Sequence, residues 1–328
     1  MSRNLTFEQI LQTLLDEQAE WKNAYVHPLS DLEGEKAARF DALWPEIPPA
    51  RKVEMLSAME NEADDNTLLS FEHVCRLAIA DPDPQVRFLG VRAIEIYEPD
   101  DLIETLCKMV VEDPDENVRA VTAATLGRFV YLGEIEAIAQ ARYQLLHRAL
   151  LEVARSEDTD AVRRNALEAL GYSGDPQVDE LIEEAYARPD TEWQISSLFA
   201  MGRSYNKRWH KQVLEALDHR LPLIRSEAAR AAGELEIQAA RPRLIELLDD
   251  PTREVRMAAA WSLSQIGGEG VRAALLDLQS QNIDDEEYEF LEDVLDNLTF
   301  NQEFELFNLL EIDLPDDLED DFDLDLRS

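Results

Sequence analysis

The chain has 328 residues, of which 45% are hydrophobic, and its 70 acidic and 31 basic residues give a formal net charge of −39. A field of this sign repels phosphate backbones and anionic lipid headgroups, which argues against nucleic-acid binding and membrane-surface binding. No apolar run is long enough to span a bilayer, and the N-terminal residues show no secretory signal, so we predict a cytoplasmic protein. Salt adaptation is an alternative explanation of the acidity.

Residues 1–47 are predicted to form N-terminal capping helices. Thr6 and Gln9 have the spacing of a capping box at the start of a helix. A second helix is expected to stop at Pro45, because proline disrupts helix continuation. The first repeat of a stack needs such a cover for its outer apolar face.

From residue 48 onwards one pattern recurs: an Asp-Pro turn, a Val-Arg pair, small and apolar residues at helical spacing, and often a glycine. We call the residue at the Arg position of each unit its mark residue. Aligned units at a near-constant interval indicate a repeat architecture. The mark residues are Arg87, Arg119, Arg163, Gln194, Arg225 and Arg256, with fainter units at Lys52 and Glu289, and glycine follows eight residues later at Gly127, Gly171, Gly202 and Gly233.

The segments DPDPQVR, DPDENVR, EDTDAVR and DPTREVR resemble the HEAT family, and within it the short phycobilisome-lyase-type HEAT-like repeats. The resemblance covers residues 48–297. It implies two antiparallel helices per repeat, and therefore an all-α fold: a right-handed α-solenoid of about seven to eight HEAT-like helical hairpins. Gln194 departs from the pattern by replacing the mark arginine.

The repeated arginines have two interpretations. In the first, which is the arrangement that the resemblance implies, each arginine pairs with the aspartate of its own turn or of the adjacent repeat. Each exposed pair would then contribute about 0–1 kcal/mol. In the second, the row of guanidinium groups binds an anion. The residues of the predicted ladder are Arg87, Arg119, Arg163, Arg225 and Arg256 with Asp81, Asp113 and Asp250.

An insertion lengthens the interval between Arg119 and Arg163 relative to the other units. Apolar residues from Ile135 to Val153 fall on one stripe, which predicts an extended helix of about five turns. The insertion is either a partner surface or a local variation.

Residues 203–225 form what we call the basic island, which has six basic and two acidic residues. Aromatic residues among basic ones are typical of interaction hot spots. In the alternative interpretation, Trp209 is a wedge between repeats and its basic neighbours are merely solvated. The candidate partner-binding residues are Arg203, Tyr205, Lys207, Arg208, Trp209, Lys211 and Arg220.

Residues 298–328 lose the repeat and are predicted to be an acidic, partly disordered C-terminal tail. From Glu311 onwards the tail has nine acidic residues and one arginine. It is either a solubilising tail or an interaction segment, and as the latter it would contact the basic island within the same chain.

No catalytic residue, cofactor site or metal site is predicted. The five histidines form no HExxH motif, no glycine-rich phosphate loop is present, and Cys75 and Cys107 occupy equivalent positions typical of small buried residues. We therefore expect a non-enzymatic scaffold or adaptor for protein–protein interactions. The resemblance suggests an alternative, a phycobilin lyase-like or chromophore-protein chaperone subunit. The sequence does not identify the protein partner.

Overall fold

The computed structural model describes residues 6–281 and 284–311, and within these ranges it contains helices and no β-strand. The α-helices are α1 (Phe7–Leu15), α2 (Gly34–Leu43), α3 (Pro49–Asp65), α4 (Glu72–Ile79), α5 (Pro84–Ile94), α6 (Ile103–Glu112), α7 (Glu116–Glu134), α8 (Gln140–Arg155), α9 (Asp160–Leu170), α10 (Pro176–Tyr186), α11 (Thr191–Arg203), α12 (His210–Ala216), α13 (Pro222–Glu234), α14 (Arg241–Leu247), α15 (Arg253–Ile266), α16 (Val271–Gln279) and α17 (Asp285–Glu311).

The chain divides into two units, residues 1–182 and residues 183–328. In unit 1, the hairpins α4–α5, α6–α7 and α8–α9 stack so that their second helices α5, α7 and α9 pack in succession. In unit 2, the hairpins α12–α13, α14–α15 and α16–α17 stack in the same way, and α11 packs on α13. The predicted all-α fold of HEAT-like hairpins is confirmed in each unit.

An aspartate in the preceding turn explains why α5, α7 and α11 begin where they do. The side chain of Asp83 accepts hydrogen bonds from the backbone amides of Gln85 and Val86, at 2.9 and 3.1 Å. Asp115 and Asp190 cap α7 and α11 in the same way. These bonds satisfy amides that have no partner inside the helix. Four repeats have a valine before the mark, and it is fully buried in each: Val86, Val118, Val162 and Val255.

Glycine at the eighth position after the mark lets successive second helices approach closely. A Cβ atom on Gly127 would lie 3.1 Å from the Cα atom of Ala169, and one on Gly233 would lie 2.9 Å from the Cα atom of Ser262. In both pairs the partner is six residues after the mark of the next repeat. The repeated glycine is therefore a packing residue between repeats.

The N-terminal residues form α1 and α2, and α2 ends at Leu43, two residues before the expected stop at Pro45. Thr6 and Gln9 form the capping box of α1, and Ile10 and Leu14 are buried. Trp44 is also buried, and its Nε1 donates a 2.8 Å hydrogen bond to Asp81. This bond joins the capping region to the first Asp-Pro turn.

The domain boundaries proposed from the sequence stay predictions. The first repeat helix, α3, begins close to the proposed boundary at residue 47, whereas the boundary at residue 297 falls inside α17. The tail beyond residue 311, together with its proposed contact to the basic island, lies outside the described residues.

The insertion differs in detail from its prediction. The apolar stripe from Ile135 onwards does not form one helix, because α7 continues to Glu134 and the chain then turns before α8 begins at Gln140. Glu136 has a left-handed backbone in this turn, and Ile135 is exposed. Apolar periodicity continued through the turn by coincidence, and periodicity alone does not detect a reversal of chain direction. The 16 residues of α8 make about four and a half turns, fewer than the five expected.

Candidate functional site

The mark arginine holds two successive turns together. The Nη1 atom of Arg87 donates to the carbonyl oxygens of Asp81 and Pro82, at 3.0 and 2.9 Å, in its own turn. Its Nε and Nη2 atoms each donate a 2.8 Å hydrogen bond to the carboxylate of Asp113, in the turn of the next repeat. A bidentate pair of this kind is both directional and strong.

The arrangement recurs in both units. The Nη1 atoms of Arg119, Arg225 and Arg256 each donate to the carbonyl oxygen six residues earlier. The acidic partner again belongs to the following repeat. The ion pairs are Arg119 with Asp158 at 2.7 Å, Arg225 with Asp250 at 2.7 Å, Arg256 with Glu287 at 2.9 Å, and Lys52 with Asp81 at 2.5 Å.

The aspartate of each turn has a second role within its own repeat. Asp113 Oδ1 also accepts a 3.0 Å hydrogen bond from the backbone amide of Asp115, and Asp250 Oδ1 accepts one from Thr252 at 2.9 Å. The carboxylate thus connects the arginine of one repeat to the turn of the next. Since these guanidinium groups donate to both partners, the geometry favours the structural interpretation of the ladder over anion binding.

These pairs are less exposed than the sequence suggested. The side chains of Arg87 and Asp113 are 12% and 6% exposed, so the expectation of exposed, weak pairs does not hold there. Burial raises the pKa of Asp113, but the hydrogen bonds from Arg87 and the Asp115 amide more than offset it, and the net pKa is below its usual value. The hydrogen bond from Arg119 likewise lowers the pKa of Asp158.

Two mark residues differ from this geometry. Arg163 Nε lies 3.4 Å from the carbonyl oxygen of Ala154, and its guanidinium lies 3.6 Å from Asp160 on its own helix. Gln194 Nε2 donates to the carbonyl oxygen of Arg188 at 3.1 Å. The glutamine amide thus keeps the contact within its own turn that the arginines make.

The structure divides the basic island. Residues 207–209 form a short 3-10 helix at one end of α12, whereas Arg220 lies beyond the other end of that helix. Seven helical residues separate the two ends by about 10 Å. Arg225 belongs to the ladder. Residues 203–211, which we call the basic edge, are therefore the part of the island that stays together.

The basic edge contains one buried and several exposed side chains. Trp209 is fully buried, so it packs inside the unit, in line with the alternative interpretation above. Arg208 lies 4.6 Å from the centre of the Trp209 ring and pairs with Glu183 at 3.0 Å. Lys211 lies 3.8 Å from Glu215. Tyr205 is 71% exposed.

Arg203, the first residue of the basic edge, is held from two sides. Its guanidinium lies 3.9 Å from the centre of the Phe199 ring. It also lies near Glu234, whose pKa is raised because burial outweighs the favourable charge of Arg203. Arg203 is thus positioned by its neighbours, whereas Tyr205 and Lys207 extend from the following turn into solvent.

The left-handed backbone of Tyr205 is a property of the repeat. Its φ angle is 49°, and Glu98, Glu236 and Gly267, which also lie eleven residues after a mark, have φ angles of 49°, 50° and 61°. Left-handed residues commonly end helices, with glycine the preferred type. The conformation of Tyr205 therefore follows from the architecture, and its aromatic side chain is what distinguishes this position.

A cavity of about 980 Å³ in unit 1 is lined by α8 and the turn before α10. His147 Nε2 lies 2.9 Å from Ser173 Oγ, and Tyr143 donates a hydrogen bond to Glu134. Burial lowers the pKa of His147, while burial and the Glu134 hydrogen bond raise the pKa of Tyr143 to about 12.

The cavity brings a serine, a histidine and an aspartate together without the geometry of a nucleophilic triad. Asp175 lies 3.9 Å from Nε2 of His147, the same ring nitrogen that faces Ser173. In a triad the acid binds the opposite nitrogen, Nδ1, and so orients the base. The hydrogen bonds here instead attach the turn to α8.

Two family models match the chain. The PBS lyase HEAT-like repeat matches residues 162–188, and HEAT repeats match residues 211–289.

Residues 162–188 and 211–289 of the chain are therefore HEAT repeats. Among solved structures, it is similar to the CpcE–CpcF complex of phycocyanin lyase from Nostoc sp. PCC7120, with 17% identity, a TM-score of 0.47, and coverage of 69% of this chain and 94% of the other. It is similar to YibA of Escherichia coli, with 17% identity, a TM-score of 0.45, and coverage of 73% and 96%. For human deoxyhypusine hydroxylase the identity is 19%, the TM-score 0.34, and the coverage 79% and 95%. No curated protein matches.

Sequence reasoning missed two acidic partners of the HEAT-repeat ladder, Asp158 and Glu287. Asp158 lies one position closer to its mark residue than Asp113 does, so alignment to the Asp-Pro pattern passed over it. Glu287 belongs to the faint last repeat, which has no Asp-Pro pair. The available signal was an acidic residue near the start of the second helix, just before it at Asp158 and in its first turn at Glu287.

Within the described part of the chain, no helix is both long enough and apolar enough to cross a bilayer. Over the same residues, no cluster of three or more His, Cys, Asp or Glu side chains is arranged to hold a metal ion.

Proposed function

We propose that this HEAT-repeat protein is a non-enzymatic scaffold or adaptor, and that the basic edge of unit 2 binds an acidic segment of a protein partner. The observation that carries the proposal is the exposed Tyr205 beside Lys207. Lys207 is exposed and has no salt bridge to any residue that the structure describes, in a chain with a net charge of −39.

The ion pairs of the basic edge leave it open to competition. The side chains of Arg208 and Glu183 are 42% and 56% exposed, and those of Lys211 and Glu215 are more exposed still. Surface pairs of this kind contribute about 0–1 kcal/mol each, so the carboxylates of a partner can replace Glu183 and Glu215 at little cost.

Tyr205 supplies the apolar part of the proposed contact. A tyrosine ring offers a large surface and a polar tip, and such residues dominate the binding energy of many interfaces. Buried Trp209 and the positioned Arg203 lie in the same segment and hold the backbone on either side of the ring. The basic edge thus combines an aromatic anchor with several cations.

The proposal is tested by purifying the tagged full-length protein with its native complex and quantifying each associated protein. The double variant Tyr205→Ala/Lys207→Glu is expected to reduce recovery of the main partner about tenfold or more. Arg220→Glu is the matched control, because it makes the same charge reversal in the same island at the other end of α12.

Equal recovery of the main partner with wild type and with the double variant would show that the basic edge does not bind that partner. An equal loss with Arg220→Glu would indicate a general charge effect. A bilin that co-purifies with the chain would instead favour the lyase-like alternative.

A further inference from the structure

Two phenylalanines on α17 are stacked on each other in solvent. Phe300 and Phe304 are 66% and 57% exposed, and their ring centres lie 6.3 Å apart with the planes 12° from parallel. They are one helical turn apart, so they occupy neighbouring positions on one face. An exposed pair of large aromatic rings is a typical feature of an interaction site.

This face is distinct from the face that packs α17 into unit 2. Leu291, Val294 and Leu298 are completely buried and form the packing stripe of the helix. At about 100° per residue, Phe300 lies roughly 160° around the helix from Leu298. The aromatic pair is thus not part of the repeat core, and its exposure is not explained by packing.

Carboxylates surround the pair. Asp293, Asp296 and Glu303 are exposed, and each is within about two helical turns of Phe300 on the same side of α17. None of the three has a salt bridge to a residue that the structure describes. The sequence of α17 contains no Lys or Arg. We call these five residues the acidic aromatic face.

We propose that the acidic aromatic face binds a basic amphipathic segment of a partner protein. Apolar side chains of that segment would cover the two rings, and its Lys or Arg side chains would pair with the unpaired carboxylates. A second copy of this chain is disfavoured by its own charge of −39, and residues 312–328 have eight acidic residues and one basic residue. The site has the opposite charge to the basic edge and does not depend on it.

The test uses the full-length protein and a fluorescent 18-residue helical peptide of leucine and lysine, followed by fluorescence anisotropy. We expect Phe300→Ser/Phe304→Ser to weaken peptide binding roughly 10- to 100-fold. Leu68→Ser/Ile96→Ser is the matched control, since those two residues are 86% and 66% exposed in unit 1. This control should bind within about twofold of wild type, a difference too small to indicate an anchor.

Charge is tested separately. Asp293→Asn/Asp296→Asn/Glu303→Gln should weaken binding and flatten its dependence on salt. The Tyr205→Ala/Lys207→Glu variant should bind the peptide as wild type does, which separates this site from the proposed function. Circular dichroism should show unchanged helix content in every variant.

Four results would overturn the proposal. The first is wild-type affinity in the double phenylalanine variant, which would leave only the general charge of the protein as the cause of binding. The second is equal binding of a leucine and glutamate peptide, and the third is no binding of the leucine and lysine peptide. The fourth is concentration-dependent association of the chain that disappears in the double phenylalanine variant, which would make the face a self-interface.

Discussion

Arg87 and Asp113 are 26 residues apart in sequence and share two 2.8 Å hydrogen bonds between one guanidinium and one carboxylate. Since Asp113 also accepts from the amide of Asp115, the carboxylate joins the arginine of one repeat to the start of the next second helix. The repeated Asp and Arg of the sequence are therefore a connection between neighbours, and stability should depend on them wherever the pair is buried.

The buried ion pair of Arg87 and Asp113 should contribute more to stability than the exposed pair of Arg76 and Asp101, which has the same two-bond geometry. Asp113→Ala leaves Arg87 largely buried without its carboxylate, so we expect unfolding of unit 1 to become easier by about 3 kcal/mol. Asp101→Ala is the control: Asp101 also accepts two hydrogen bonds from one arginine, Arg76, at 2.7 Å, but its side chain is 57% exposed. Its loss should cost less than about 1 kcal/mol. Urea denaturation of both variants would refute the argument if the two losses were equal.

Because the second helices approach closely at Gly233, that glycine should not tolerate substitution by alanine, whereas Gly174 should. A Cβ atom at position 233 would lie 2.7 to 2.9 Å from three atoms of Ser262, so Gly233→Ala should destabilise unit 2 by about 1–3 kcal/mol. A Cβ atom at position 174 would meet no atom within 4 Å. Gly174→Ala should therefore be neutral or stabilising by about 0.4–1 kcal/mol. Thermal denaturation measures both, and equal effects would contradict the packing role.

Relief of left-handed backbone should stabilise the protein. Glu236 has a φ angle of 50°, which costs a non-glycine residue about 1–2 kcal/mol. Glycine removes that cost but loses about 0.5–1 kcal/mol of chain entropy, so Glu236→Gly should stabilise by about 0.5–1 kcal/mol. Glu152→Gly, which replaces an exposed glutamate in the last turn of α8, should destabilise by up to roughly the same amount. A loss of stability in both variants would show that the turn, rather than strain, determines residue 236.

The ladder should give a defined pH dependence. The pKa of Asp158 is lowered by its hydrogen bond with Arg119, so the folded state favours the ionised carboxylate. An unfolded aspartate titrates near about 3.9. The stabilisation is therefore complete above about pH 4 and is lost as the pH falls through the lower folded pKa.

Asp158→Asn should be less stable than wild type at pH 7, and the difference should shrink towards pH 2–3. Comparing urea midpoints between variants removes the general effect of neutralising the other carboxylates. Glu152→Gln, which lies outside the ladder, should show no such trend. If the stability difference between Asp158→Asn and wild type stayed constant from pH 7 to pH 2–3, Asp158 would not be the source of the pH dependence.

The two thiols should be protected by burial. Burial is the main cause that raises the pKa of Cys75 to about 12 and that of Cys107 to about 11. Because the thiolate is the reactive form, the native protein should react slowly with iodoacetamide at pH 8, and Cys107 should react before Cys75. Mass spectrometry of the alkylated peptides gives the order, and urea should make both thiols reactive. Rapid labelling of native Cys75 would contradict its burial.

Helix starts and the repeat interval could be predicted from the amino-acid sequence alone. Thr6 with Gln9, and Asp83 or Asp115 before a second helix, specify helix starts through hydrogen bonds between residues two or three apart. The buried valines and the mark arginines recur at the repeat interval, because each repeat must present the same surface to its neighbour. Local hydrogen bonding and periodicity depend on short sequence separations, and one chain contains that information.

The contacts between residues of different repeats became visible in the folded structure. It paired Arg119 with Asp158 rather than with an aspartate of its own turn, and it buried Trp209 while separating Arg220 from Lys207. It also left Phe300 and Phe304 in solvent. These outcomes depend on the relative placement of helices that are tens of residues apart, and that placement is set by side-chain packing summed over whole helices, which a repeat pattern in the sequence does not encode.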